Sequence, residues 1–194
     1  MVELSEERLA PCNGIEIAYQ EVGDPEGEPL ILVMGLATQM IAWDEELCSM
    51  LAERGFRVIR FDNRDVGHST QLDGAHVPDR LDIFLRRRET AAYLLSDMAA
   101  DTVGLMDHLE IDSAHVVGIS MGGMIAQTVA AHYPGRVRTL TSIMSTTGAP
   151  RLGRPALSTW RRIPHVGRPA CVPVVEPCHS EATSGQGCDE IVWP

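Results

Sequence analysis

The chain has 194 residues, of which 44% are hydrophobic, and a formal net charge of −11 from 27 acidic and 16 basic residues. That length suits one sizeable domain, and the acidic excess argues against nucleic acid or an anionic membrane as a partner. The longest apolar run, "LILVMGLA" at 30–37, is too short to span a bilayer, and "MVELSEERLA" at the start lacks the apolar core of a secretory signal, so a cytoplasmic location is expected.

All 16 basic residues are Arg, which reads as the codon bias of a GC-rich gene. Five Cys with no repeating spacing fit reduced thiols better than a disulfide framework.

In chain order, "GIEIAYQEVG" (14–23) alternates apolar and polar residues and predicts a strand. "PLILVMG" (29–35) is a continuous apolar run, as in a strand buried on both faces. Trp43, Leu47 and Leu51 fall at helical spacing, and Gly55 is placed to end that helix. "FRVIRFD" (56–62) predicts the next strand, and residues 90–109 predict a helix from apolar positions spaced 3 and 4 apart. "SAHVVGI" (113–119) is a strand, "MGGMIAQTVAAHYP" (121–134) a helix stopped by Pro134, and "VRTLTSIMS" (137–145) another strand. Strands that alternate with helices and have apolar cores predict an α/β fold with a mostly parallel sheet covered on both faces. Residues 1–150 carry this pattern. Residues 151–194 form an irregular Pro/Arg/Cys-rich tail without periodicity, expected to be disordered.

"GISMG" at 118–122 matches a nucleophile elbow, a strand-to-helix turn that exposes a serine at the carboxyl edge of a sheet. Gly118 and Gly122 keep side chains out of the turn, and Ser120 is expected to take a positive φ. The N–H of Met121 opens the helix and faces any oxyanion formed there. A second donor is expected from the loop after an earlier strand: Gly35 turns the chain, and the N–H of Leu36 faces the site. In "FDNRDVGHST" (61–70), Arg64 and Asp65 are expected to pair and hold the loop, with Gly67 allowing a bend. His68 reads as a loop residue rather than a base.

Together, "LILVMGLATQMIAWDEEL", "RVIRFDNRDVGHST", "YLLSDMAADTVGLMDHLEI" and "VVGISMGGMIAQTVAAHYP" resemble, in that order, the α/β-hydrolase superfamily. They are most similar to its esterase and lipase branch, which includes anthracycline methyl esterases. The resemblance covers residues of about 10 to 150, with Met34-Gly35 where His-Gly is more usual. It implies a serine hydrolase that forms an acyl-enzyme on a small-molecule ester, with Ser120 as nucleophile, Leu36 and Met121 as oxyanion donors, and no cofactor or metal. Ser120 argues against the haloalkane dehalogenases, which carry Asp at that position.

The resemblance also implies an acid and then a histidine after the serine. Downstream stand His132, His165 and His179, with Asp189 as the only Asp. His132 lies 12 residues past Ser120 in the same helix, or ~18 Å away at ~1.5 Å per residue, too far to be the base. No His follows Asp189, and Glu176 and His179 lie three apart in the tail. The fold is therefore expected to be incomplete, without the family's last strands and most of its cap. Translation of the tail in a wrong frame is one explanation; a continuous alternative frame encoding an Asp and a later His would support it. Cys171, Cys178, His179 and Cys188 are zinc-ligand types at spacings unlike a paired motif, so no metal site is expected. The alternative function is a catalytically inactive homologue that acts at most as a binding module. A strand at 137–145 left as the sheet edge would expose Val137, Leu140, Ile143 and Met144 and promote self-association.

Overall fold

The computed structural model describes residues 4–72 and 92–147. Its elements are β1 (Arg8–Cys12), β2 (Ile15–Val22), β3 (Glu28–Val33), α1 (Glu45–Ala52), β4 (Phe56–Phe61), α2 (Leu95–His108), β5 (Ala114–Ile119), α3 (Met121–His132) and β6 (Val137–Ile143). The six strands form one sheet in the order β1-β2-β4-β3-β5-β6.

β3, β4, β5 and β6 are parallel, while β1 and β2 add an antiparallel margin. The chain pairs β3 with β4 on one side and then crosses back to lay β5 on the other. The connection order reverses at β3, so a crevice opens outside the carboxyl ends of β3 and β5, where ligands bind in open α/β sheets.

Side-chain alternation explains the layers. Ile31 and Val33 of β3, Ile59 and Phe61 of β4, and Val116 of β5 point to one face, against Met98, Val103 and Leu105 of α2 and Ile125 and Val129 of α3. Leu30, Leu32 and Val58 point to the other, against Trp43 and against Cys48 and Ala52 of α1. Helices thus cover both faces, as the apolar runs predict. Asp44 starts α1 by accepting the N–H groups of Glu46 (2.8 Å) and Leu47 (3.2 Å) at Oδ1.

Three details differ from the sequence reading. β1 was not expected; it returns on β2 through Asn13-Gly14, both at positive φ (48° and 80°), with Cys12 opposite Ile15. That geometry is a two-residue hairpin, for which Asn-Gly is the strongest short signal. The strand cores are not apolar throughout: Arg60 of β4 is 2% exposed. Its guanidinium donates to Gln20 Oε1 (3.0 and 2.8 Å) and to the Trp43 carbonyl (2.7 Å), which satisfies the buried charge. Arg64 does not pair with Asp65. It makes a two-pronged bond to Asp101 of α2 (2.6 Å each) and lies over the Tyr93 ring, 5.1 Å from its centre. Asp65 instead accepts the Leu72 N–H (2.6 Å). Burial opposes the Arg64 charge, but the bonded Asp101 carboxylate outweighs it, so the Arg64 pKa rises. In the loop after β3, Ala37 takes a positive φ (51°).

β6 pairs only with β5 among the described residues, and beyond Val137 the strand is exposed, with Leu140, Ile143 and Met144 the large apolar side chains concerned. Among the described residues, no helix is long and apolar enough to cross a membrane. The tail after residue 150, with His165, Glu176, Asp189 and the Cys171, Cys178, His179 and Cys188 group, lies outside the described residues.

Candidate active site

Ser120 stands at the junction of β5 and α3 with φ 56° and ψ −121°. A serine pays for that left-handed conformation unless its surroundings enforce it. They do. The Ser120 N–H donates to the Ile143 carbonyl at the end of β6 (2.9 Å), and the Ser120 carbonyl accepts from Gly123 (3.1 Å). A Cβ on Gly118 would fall 2.2 Å from the Gly122 carbonyl oxygen. One on Gly122 would fall 2.2 Å from the Val33 oxygen and 2.6 Å from the Met34 oxygen. The two glycines therefore let α3 start against the ends of β3 and β5.

The loop after β3 meets the elbow directly. A Cβ on Gly35 would lie 3.3 Å from Ser120 Cβ and 3.7 Å from Ser120 Oγ. Close approach, rather than an unusual φ, is what a side chain here would disturb. Leu36 follows, 55% exposed. Its carbonyl accepts from Thr38 Oγ1 (3.0 Å), while its N–H has no acceptor among the described residues. Met121 is the first residue of α3, so its N–H belongs to the helix's unpaired first turn. The Ser120 hydroxyl, the loop after β3 and the positive end of α3 therefore lie together on the carboxyl edge. Such a place suits an anion formed on, or next to, the hydroxyl oxygen.

Behind that loop, the turn after β4 is organised by residues the sequence reading passed over. Asp62 is 1% exposed and Asn63 2%. Asp62 Oδ1 accepts the Met40 N–H (2.6 Å) and Oδ2 the His68 N–H (3.2 Å). Burial pushes the Asp62 carboxyl pKa up, against the pull of those two bonds. Asn63 Nδ2 donates to the Met34 carbonyl (2.9 Å). Gly67 has φ 54°, and a Cβ on it would overlap Asp62 Oδ2. It therefore makes room for a carboxylate as well as a bend. The available signal was two polar residues, Asp62 and Asn63, at the carboxyl end of an apolar strand.

None of the histidines among the described residues contacts Ser120. His68 Nδ1 lies 2.5 Å from Glu7 Oε1, in line with its reading as a loop residue. His115 Nδ1 bonds Thr139 Oγ1 (2.7 Å), His108 packs against Tyr19, and His132 is exposed at the far end of α3. No group of three or more His, Cys, Asp or Glu is placed to hold a metal among the described residues. A shallow concavity between Leu4, Arg8, Glu21 and Arg57 lies beside the start of β4. That is the amino edge of the sheet, opposite Ser120, so it has no part in the site.

Residues 28–164 match the family model described as the alpha/beta hydrolase fold. Over 137 residues the chain is 34% identical to the rhodomycin D methylesterase of Streptomyces sp. strain C5, covering 71% of this chain and 41% of that protein. It is 32% identical over 130 residues to a non-heme haloperoxidase of Rhodococcus erythropolis, covering 66% of this chain and 40% of that protein. The solved structure of the 2-hydroxy-6-oxo-6-phenylhexa-2,4-dienoate hydrolase of Rhodococcus sp. strain RHA1 superposes with a TM-score of 0.64 at 23% identity. That superposition covers 80% of this chain and 51% of that one, and it speaks for the fold alone. The chain thus spans about two fifths of the length of the curated relatives it matches. The sheet order, the Ser120 turn and the family match agree: the chain belongs to the alpha/beta hydrolase fold family.

Proposed function

We propose that the protein is a serine hydrolase acting on a carboxylic ester of a small molecule through an acyl-enzyme. In this reading Ser120 Oγ attacks the ester carbonyl while a general base, which is not identified among the described residues, takes its proton and returns it to the departing alcohol, and the N–H groups of Leu36 and Met121 receive the oxyanion. Collapse of the tetrahedral intermediate releases the alcohol, and water then frees the acid. The reaction needs no cofactor, and a cytoplasmic setting suits it. The observation that carries the reading is the strained Ser120 backbone (φ 56°, ψ −121°), held between Gly35, Gly118 and Gly122 at the mouth of the switch-point crevice. Similarity to a rhodomycin D methylesterase favours an ester, while similarity to a haloperoxidase keeps the acyl group and leaving group open.

A second reading rests on a different observation: no histidine among the described residues contacts Ser120. Without a base, such a site retains only what oxyanion stabilisation and binding provide, and the chain then acts as a binding module for ester-like or carboxylate ligands. Turnover of p-nitrophenyl acetate by the purified chain and by Ser120→Ala separates the two. A wild-type rate well above the variant's is expected from the hydrolase. Equal rates would overturn that reading for this chain and leave the binding module.

A further inference from the structure

The geometry points to Asp62 and Asn63 as positioning residues that clamp the two ends of the 34–40 segment and so hold the Leu36 N–H against Ser120. This inference rests on the oxyanion role proposed for Leu36. The two side chains are neighbours in sequence at the carboxyl end of β4, yet they grip opposite ends of one loop. Asn63 Nδ2 holds the Met34 carbonyl, where β3 ends (2.9 Å). Asp62 Oδ1 holds the Met40 N–H, where the loop enters its next helical turn (2.6 Å).

Between those anchors Gln39 is buried and makes contacts of its own, whereas residues 36–38 lie nearer the solvent. Leu36 is 55% exposed, Ala37 sits at φ 51°, and Thr38 Oγ1 donates to the Leu36 carbonyl within the loop. A non-glycine residue at positive φ relaxes when the bonds that enforce it are removed. A Cβ on Gly35 would lie 3.3 Å from Ser120 Cβ, so the loop already runs beside the elbow. Relaxation of the loop would therefore displace the Leu36 N–H from the place it holds there. The anchors are themselves rigid. Asp62 is fixed by the His68 N–H and by Gly67, which leaves space for its carboxylate. Its own carbonyl accepts from Ser69 Oγ (2.7 Å), and Ser69 Oγ in turn accepts the Ala18 N–H (2.9 Å), which ties the clamp to β2.

The turn after β4 contributes no group to the proposed chemistry, so its effect must appear as geometry. Two readouts on Asn63→Ala and Asp62→Asn in the full chain test this. The first is amide hydrogen exchange resolved by peptide. Amides of residues 35–40 are expected to exchange about tenfold faster or more, while those of β5 and α3 keep their wild-type rates. The second is ester turnover against the Ser120→Ala baseline. A loss of kcat of about tenfold to a hundredfold at nearly constant KM is expected, because a displaced donor weakens the transition state and not the ground state. Unchanged exchange at 35–40, or acceleration spread equally over the whole sheet, would overturn the clamp whatever the activity does. Local acceleration with an unchanged kcat, in a chain more active than Ser120→Ala, would overturn its catalytic consequence. If wild type proves no more active than Ser120→Ala, the hydrolase reading fails, and the exchange pattern alone still decides whether the clamp exists.

Discussion

The sharpest stability prediction concerns Gly122, because its neighbours are atoms that cannot move aside. A Cβ there would lie 2.2 Å from the Val33 oxygen, 2.6 Å from the Met34 oxygen and 2.7 Å from the Val33 carbon. All three are backbone atoms at the end of β3, which pairs with β4 on one side and β5 on the other. No rotamer change can relieve the contact, so α3 must shift away from the sheet or β3 must bend. Overpacking a core typically costs about 1–3 kcal/mol, and a clash with fixed backbone belongs at or above the upper end. About 3 kcal/mol corresponds to a Tm lower by about 6–12 °C for a chain of this size. Gly122→Ala isolates the Cβ, and Gly122→Val should melt lower still. Gly135→Ala is the matched control, since a Cβ there meets nothing within 4 Å. Thermal unfolding followed by circular dichroism is the assay. If Gly122→Ala melts with Gly135→Ala, then α3 does not pack against β3 as closely as described.

Other expectations follow from the buried polar groups, the thiols and the sheet edge. Arg64→Met or Asp101→Asn alone should lower stability by about 3–5 kcal/mol in urea unfolding, because each leaves a buried group without its partner. Arg64→Met with Asp101→Leu should recover much of that loss, and an additive double variant would contradict the pairing. Burial, with lesser help from Asp101 and Asp107, pushes the Cys12 thiol pKa up to about 12, and burial raises that of Cys48. At pH 8 only about one Cys12 in 10,000 is then thiolate. With Cys171, Cys178 and Cys188 changed to Ser, Ellman's reagent should find almost no native thiol and two in denaturant; fast native labelling would contradict the burial. Leu140, Ile143 and Met144 lie exposed at or beside β6, so we expect self-association in sedimentation velocity that Leu140→Arg weakens, and a monodisperse wild-type monomer would refute it.

Much of this architecture was legible because its signals are local. The apolar runs of β3 and β4, the alternation of β2 and the glycine spacing around Ser120 each constrain a few adjacent residues. The positive φ expected at Ser120 is present, since a turn from strand into helix with glycines two positions either side leaves little choice. β1 was missed although its signal was also local. "RLAPC" offers only the small Ala10 and Cys12 to the core, and Pro11 argues against a strand away from an edge. Asn13-Gly14 was the cue, and β1 is indeed the edge.

What could not be read was pairing at a distance. Arg64 has an acidic neighbour at Asp65, yet it bonds Asp101, 37 positions away on α2. The bond from Asp62 to Met40 spans 22 positions and that from Asn63 to Met34 spans 29. Only the crossover that lays β4 beside β3 brings them together. Gly35 was expected to turn the chain, but a contact with Ser120, 85 positions on, is what its missing side chain permits.

The most direct test of the central proposal is to trap the nucleophile. The purified chain is incubated with a fluorophosphonate, and the adduct is located by peptide mass spectrometry. A single adduct on Ser120, absent from Ser120→Ala and slowed in Asn63→Ala, is the predicted result. No adduct, or an adduct on another residue that persists in Ser120→Ala, would contradict it.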